Sequence, residues 1–346
     1  MRKRTIFKAM AVGLFLMLIA GVGTALSQSA EEFYKKNIPT IVANGGVGGG
    51  TDFSSRIFSS YWPEVTGGRP MIAKVMSGGG GIQGLNYVFN AKPDGLTIGI
   101  THHPSDITVP RLLKLPGPKW DPRKLSWIGL FGQTPQFVAF KKGSNIKTME
   151  DLKKLNAKKK LIFGAGNVGN SPSLAGSIAI AILGLDAKLV HGYESPELPL
   201  ALVRGEIDAY VSDGSRIRQN MEKGFLEPFT SITFKRTAWL PDVPAITEMV
   251  QINPDHKDMI EFMEALVACK SIYAPPGIPA DRLNYLRRSF EKIMKHKGFI
   301  KQIKKSYKVL EPYTTGEELE KKVNSAIGMA PEKVELVRNL FQQYIK

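Results

Sequence analysis

The sequence contains a glycine-rich stretch that leaves few side chains in the way of its own backbone. Five glycines fall within the six positions 45–50, and Thr51 and Asp52 follow directly. Glycine costs about 0.5–1 kcal/mol relative to alanine in an ordered element, so such a cluster indicates that something approaches the main chain closely. Backbone N–H groups at a helix start bind anions. The stretch therefore predicts a site for a small anion, with a hydroxyl from Thr51 and with Asp52 as the helix cap.

The residues around these glycines exclude two nucleotide-binding patterns. A P-loop ends in Gly-Lys-Ser/Thr, whereas here the glycines run into Thr51 and Asp52 without a lysine. The dinucleotide pattern requires a glycine where Thr51 stands, and an acidic residue after the second strand, where Ser77 and four glycines follow. The sequence therefore predicts no nucleotide, and we expect no other cofactor.

The other residues with reactive side chains form no catalytic or metal-binding pattern. His102 and His103 are adjacent after a predicted strand, but they have neither a cysteine partner nor an HExxH spacing. No serine stands in a Gly-x-Ser-x-Gly elbow. Cys269 is the single cysteine and is interpreted as a small buried apolar residue. We therefore expect no catalytic residue and no metal site.

The first 27 residues have the pattern of a secretory signal peptide. Basic residues between positions 2 and 8 precede a non-polar stretch over 10–25, and Ala25 and Ser27 supply the small residues of a cleavage site. An uncleaved membrane anchor is the alternative. The formal net charge is +16, but the lysines are scattered over predicted helix faces among glutamates. This distribution favours solvated surface over nucleic-acid binding in an exported, periplasmic protein, and the excess charge attracts small anions.

Strand-like runs alternate with helical patterns along most of the chain. The predicted strands are 39–43, 70–76, 97–101, 137–140, 161–165 and 187–191, each followed by a predicted helix. This alternation predicts an α/β fold with a largely parallel sheet. Ligands of such sheets bind at the carboxyl ends of the strands, where the glycine-rich turns 45–50, 77–81 and 164–171 fall. We therefore expect these turns to form the binding site.

Seven short motifs, in this order, resemble the tripartite tricarboxylate transporter receptors, also called the Bug or TctC family. They are 48–52 (GGGTD), 78–81 (GGGG), 92–95 (KPDG), 120–122 (WDP), 165–176 (AGNVGNSPSLAG), 240–244 (LPDVP) and 274–279 (APPGIP). The resemblance covers essentially the whole mature chain. The chain departs from the family at 193–196, where Tyr-Glu-Ser-Pro stands in place of a frequent Tyr-Lys-Gly-Gly and puts Glu194 near the expected site.

The resemblance implies a type II-like periplasmic binding protein, in which two α/β domains joined by two crossover strands close on a ligand. It implies domain 1 at 28–133 with 269–346 and domain 2 at 134–268, with crossovers near 132–136 and 266–273. It also implies a monomeric receptor that binds a di- or tricarboxylate or an aromatic acid and delivers it to the membrane permease of a tripartite tricarboxylate-type transporter. The candidate ligand-binding residues are Gly48, Gly49, Gly50, Thr51, Asp52, Gly79, Gly80, Thr101, Asn170, Ser171, Tyr193 and Asp213.

Two other functions stay open from the sequence. One is an exported α/β enzyme that acts on a small organic acid. The other is a receptor that presents its ligand to a membrane sensor.

Overall fold

The computed structural model describes residues 29–193, 196–266, 269–307 and 312–344. The predicted signal peptide, as well as Glu194 and Ser195, lies outside these residues. Within the described ranges, no helix combines the length and the apolar character needed to cross a membrane.

The helices and strands of the described chain are numbered in chain order. They are α1 (Ala30–Lys36), β1 (Thr40–Ala43), α2 (Gly50–Thr66), β2 (Ile72–Val75), α3 (Ile82–Phe89), β3 (Thr97–Thr101), α4 (Ser105–Leu112), a short 3-10 helix (Pro122–Lys124), β4 (Ser126–Gly132), β5 (Gln136–Lys141), α5 (Met149–Asn156), β6 (Leu161–Gly164), α6 (Ser171–Ile182), β7 (Ala187–Val190), α7 (Glu197–Arg204), β8 (Ala209–Asp213), α8 (Gly214–Glu222), β9 (Leu226–Ser231), α9 (Ile246–Met249), α10 (Pro254–Leu266), β10 (Cys269–Ala274), α11 (Ala280–Lys295), α12 (Lys297–Tyr307), β11 (Thr314–Thr315), α13 (Gly316–Ile327) and α14 (Pro331–Tyr344). All six predicted strands are confirmed to within two residues, and each is followed by its predicted helix.

The strands form two separate sheets. The first has six strands in the order β11-β4-β10-β3-β1-β2, and the second has five in the order β7-β6-β8-β5-β9. In the first sheet β1 runs parallel to β2 and β3, and in the second β6 runs parallel to β7 and β8. The sheets are mixed rather than largely parallel, because β10 and β5 run antiparallel to both of their neighbours. These are the strands that enter each sheet directly from the other half of the molecule.

The chain passes between the sheets at two neighbouring places. It leaves the first sheet at Gly132, the last residue of β4, and enters the second at Gln136, the first residue of β5. It returns between Leu266, the last residue of α10, and Cys269, the first residue of β10. Residues 267 and 268 of the predicted second crossover lie outside the described residues. Cys269 pairs with Gly132 across the strands, so both passages lie side by side.

Each sheet has its own hydrophobic core, which fixes the strand ends that carry the site. Phe58 and Trp62 of α2 pack with Phe290 of α11 against the first sheet, where all three side chains are buried. Full burial of an aromatic side chain of this kind contributes roughly 1.5–3 kcal/mol. The helices beside the second sheet bury a similar apolar cluster that includes Phe140 and Phe163. The glycine-rich turns are therefore held between rigid elements.

The C-terminal helices connect the two halves a third time. Helix α13 packs on β4 of the first sheet and also contacts α10 beside the second. Helix α14 packs on α6, and its residues Leu340 and Phe341 are part of the core of the second sheet. The expected domain limits remain a prediction. The expectation of two crossovers between the domains does not include this third connection.

Candidate functional site

A cleft of about 680 Å³ lies between the strand ends of the two sheets. All three glycine-rich turns contribute to its lining, together with polar side chains that follow β3 and β8. A second, open depression of about 620 Å³ lies between α1 and α11, and none of the candidate residues lines it. The candidate binding site is therefore the cleft.

The turn at 45–50 connects β1 to α2 and presents the start of that helix to the cleft. Gly48 has a φ of +73°, and a Cβ on Gly49 would lie 2.9 Å from the carbonyl oxygen of Gly46, so side chains are excluded here. The helix begins at Gly50 with Gly49 as its N-cap, and no side chain caps it. Gly49, the N-cap, has no side chain that could accept from the first N–H groups of this helix.

The prediction that Asp52 is the N-cap of this helix is wrong, because the helix starts two residues earlier. Asp52 stands at the third helical position, where its carboxylate accepts a hydrogen bond of 2.9 Å from the N–H of Gly48 and one of 2.7 Å from Nε of Arg56. The side chain is buried and does not line the cleft. Asp52 therefore stabilises the turn at 45–50 from the side that faces away from the cleft.

The turn at 77–81 approaches the other half of the molecule closely. Gly79 and Gly80 both have positive φ, at +60° and +68°. A Cβ on Gly80 would lie 3.2 Å from the side chain of Asn167, which belongs to the third glycine-rich turn on the second sheet. The two sheets are thus in near contact across the cleft at this point.

The turn that precedes α6 supplies the second sheet's part of the site. Asn170 is the N-cap of α6, and its side-chain oxygen accepts a hydrogen bond of 2.9 Å from the N–H of Ser173. Ser171 is fully buried behind the cleft, and its hydroxyl has no hydrogen-bond partner among the described residues. Ser173 is also fully buried, with its hydroxyl 2.7 Å from Nε2 of His191.

The structure thus brings nine of the twelve candidate residues to the cleft wall. These nine are Gly48, Gly49, Gly50, Thr51, Gly79, Gly80, Asn170, Tyr193 and Asp213. The remaining three, Asp52, Thr101 and Ser171, lie behind it. The buried hydroxyl of Thr101 accepts a hydrogen bond from Asn44 and donates one of 3.1 Å to Asp106, so it positions two residues that do line the cleft.

Four charged or titratable cleft residues were not among the candidates, namely His102, Asp106, Arg216 and Lys270. Lys270 is the one charged residue within 265–280, and this interruption of an uncharged run is a signal that the sequence does carry. His102 directly follows a predicted strand end, whereas Asp106 and Arg216 stand five and three residues after the candidates Thr101 and Asp213. Nothing local indicates that they share a cavity, because their proximity depends on how the two sheets face each other.

Electrostatic interactions across the cleft involve Asp213 and His102. Burial acts to raise the pKa of Asp213, but the Lys270 ammonium, the Ser215 hydroxyl and Arg216 together hold the pKa below its usual value. Burial, together with His103, Lys270 and Arg216, lowers the pKa of His102 well below its usual range. At neutral pH the cleft therefore contains an ionised Asp213 and a neutral His102.

The described residues contain no group of three or more histidine, cysteine, aspartate or glutamate side chains placed to hold a metal ion.

Comparison with known proteins gives one family and a consistent fold. The family described as "Tripartite tricarboxylate transporter family receptor" matches residues 65–325. A UPF0065 protein encoded in the tcbD-tcbE intergenic region of Pseudomonas sp. (strain P51) is 25% identical over 278 residues, which cover 77% of this chain and 79% of that protein.

Two solved structures are similar in fold. R. palustris Rpa4515 with adipate has a TM-score of 0.72 and 18% identity, covering 88% of this chain and 98% of that one. MatC (Rpa3494) from Rhodopseudomonas palustris with bound malate has a TM-score of 0.71 and 17% identity, covering 87% of this chain and 99% of that one. These likenesses confirm the expected two-sheet α/β fold of a periplasmic binding protein.

Proposed function

The chain belongs to the tripartite tricarboxylate transporter receptor family, and we propose that it binds a small carboxylate and delivers it to the membrane permease of such a transporter. The observation that carries this proposal is that three glycine-rich turns from two sheets line one cleft. Relatives of the same fold with adipate or malate bound give further support.

The first carboxylate contact follows from the start of α2. The aligned peptide dipoles of a helix place a partial positive charge at its N-terminus, where the first N–H groups have no partner within the helix. No side chain caps α2, and the glycines before it keep other side chains away. A carboxylate at this turn accepts hydrogen bonds from these N–H groups, and Thr51 on the cleft wall adds a hydroxyl.

Ligand capture then depends on contacts from both sheets. The turn before α6 provides the opposite wall through Asn167 and Asn170. A ligand that contacts both walls gains its second set of hydrogen bonds only when the cleft is closed, and such a differential contact shifts the population towards the closed form. We propose that the receptor acts as a monomer in the periplasm, which it reaches by means of the predicted signal peptide.

The enzyme alternative gains no support from the hydrogen bond between Ser173 and His191. Ser173 is fully buried and does not line the cleft, so its hydroxyl cannot reach a carbonyl group bound there. Turnover of a cleft ligand requires a nucleophile or an acid–base pair within hydrogen-bond reach of it.

Native mass spectrometry of the purified protein, followed by calorimetric titration with organic acids, tests the proposal. We expect one small carboxylic acid per chain and recovery of that acid unchanged after denaturation. Binding of a sugar or a metal ion in place of any acid, or recovery of a chemically altered acid, would contradict it.

A further inference from the structure

Two cationic side chains line the cleft from opposite sides, and the backbone site at the glycine turns does not account for either. Lys270 belongs to β10 of the first sheet, whereas Arg216 belongs to α8, which follows β8 of the second sheet. Both act on the same two groups, because both lower the pKa of Asp213 and of His102. Both cations therefore lie near the part of the cleft wall where His102 meets Asp213.

Lys270 is held in place by its surroundings. The residue is 1% exposed, and its ammonium group is close enough to the Asp213 carboxylate to lower the pKa of that acid. Its φ of +29° lies in the left-handed region that residues with side chains rarely adopt, directly after the passage between the sheets. Backbone strain of this kind costs of order 1–3 kcal/mol and is concentrated at binding sites, where the surrounding structure enforces it.

The two carboxylates on the cleft wall are already engaged by the protein. Oδ1 of Asp213 accepts hydrogen bonds from the N–H groups of Ser215 and Arg216, at 3.0 and 3.2 Å, and from the Ser215 hydroxyl. Oδ2 of Asp106 accepts from the hydroxyl of Thr101 at 3.1 Å and from the N–H of His103 at 3.2 Å. Both acids thus serve as local caps that fix the turns around them.

Unlike the carboxylates of Asp213 and Asp106, the guanidinium group of Arg216 is not engaged by other side chains of the described residues. It is partly buried on the cleft wall, and it makes no hydrogen bond or ion pair with any described residue. A guanidinium offers five N–H donors in a planar fork that matches a carboxylate, and the paired hydrogen bonds are among the strongest in proteins. The donors of Arg216 are therefore available to a molecule in the cleft.

We propose that Arg216 and Lys270 form a second carboxylate site in the cleft, separate from the N–H groups of the glycine turns, and that they select ligands with two carboxylate groups. This inference rests on the proposed function. One carboxylate of the ligand binds at the start of α2, and the other accepts hydrogen bonds from Arg216 beside the Lys270 charge. A monocarboxylate of the same length leaves the Arg216 guanidinium without this carboxylate partner, so its paired hydrogen bonds do not form.

Calorimetric titration with matched pairs of acids tests this inference. The probes are succinate, glutarate and adipate, each compared with the monocarboxylate of equal chain length, namely butyrate, pentanoate and hexanoate. For the best dicarboxylate, we expect Arg216→Gln to weaken binding about 10- to 100-fold, while affinity for the matched monocarboxylate changes less than about twofold. Lys270→Gln is expected to act in the same direction.

Arg218→Gln is the matched control, because Arg218 lies on the same helix two residues away and does not line the cleft. This control should bind both acids like the wild type. Equal losses for both members of a pair in Arg216→Gln, or no loss for either, would overturn the inference while leaving carboxylate binding intact. If no acid binds to the wild-type protein, the proposed function fails as well. Thermal unfolding of Arg216→Gln without ligand shows whether the variant is folded.

Discussion

Nε2 of His102 lies 3.7 Å from Oδ2 of Asp213, and the two residues belong to different sheets. His102 directly follows β3, and Asp213 is the last residue of β8. Together with the approach of Gly80 to Asn167, this contact brings the two halves together around the cleft. We expect such contacts between the sheets to be lost when the cleft opens, so substitutions at these positions test the proposed closure.

Replacement of His102 by asparagine should reduce the dependence of stability on pH. Because burial lowers the pKa of His102 in the folded protein, the unfolded chain binds the proton more tightly. The stabilisation from the neutral imidazole is therefore fully present above the pKa of the unfolded chain, about 6.5. It is lost as the pH falls towards the lower pKa of His102 in the folded protein. Denaturant unfolding at about pH 7 and about pH 5 should show a smaller decrease in His102→Asn than in the wild type. Identical decreases would contradict a lowered pKa of His102 in the folded protein.

Replacement of Gly80 by alanine should weaken ligand binding through a contact between the sheets. The new Cβ would lie 3.2 Å from the Asn167 side chain, closer than most such contacts. Gly79→Ala is the control, because Gly79 has a similar φ and its Cβ would meet only Ile82, at 3.8 Å. The backbone cost of a positive φ for alanine, about 1–2 kcal/mol, is thus common to both variants.

For Gly80→Ala we expect an affinity several-fold lower than for Gly79→Ala. The double variant Gly80→Ala/Asn167→Ala should recover part of the lost affinity. Small-angle scattering should show a smaller ligand-induced decrease in the radius of gyration for Gly80→Ala than for Gly79→Ala. Equal affinities of the two single variants would show that the turns do not approach each other in the bound form.

Replacement of Thr51 by valine should weaken carboxylate binding with little effect on stability. Thr51 lines the cleft and is 5% exposed, and valine preserves its shape while removing the hydroxyl. Loss of one hydrogen bond to a charged group corresponds to about a tenfold decrease in affinity. Ser60→Ala on the same helix is the control, since the Ser60 hydroxyl donates to the Ile57 carbonyl and does not line the cleft. Unchanged calorimetric affinity in Thr51→Val would remove Thr51 from the site.

Replacement of Asp52 by alanine should lower the free energy of unfolding by about 1 kcal/mol, as for a lost helix-end interaction. The variant loses the hydrogen bond from the Gly48 N–H and the ion pair with Arg56. Asp52→Asn retains an oxygen that accepts from Gly48, so denaturant unfolding should give it a smaller loss. Equal losses would attribute the effect to the carboxylate charge instead.

The sequence allowed the strands, their helices and the glycine turns to be predicted, because these depend on periodicity and on neighbouring residues. The predicted start of α2 is wrong because both aspartate and glycine are common N-cap residues, and here Gly49 is the cap and Asp52 binds back to Gly48. Asp52, Thr101 and Ser171 lie behind the cleft wall, since position at a strand end or in the first turn of a helix does not determine the direction of a side chain. The cluster of His102, Arg216 and Lys270 depends on how two sheets face each other, which no local pattern encodes.

The C-terminal helices have a mechanical consequence. Helix α13 lies on β4 of the first sheet, and α14 completes the core of the second. When the sheets rotate apart, the connection at 328–330 must bend together with the two passages beside Cys269 and Gly132. Three connections between the two halves, not all side by side, restrict a rotation of the sheets more than the two adjacent passages alone would. The connection through α13 and α14 therefore limits how far the two halves of the protein can rotate apart.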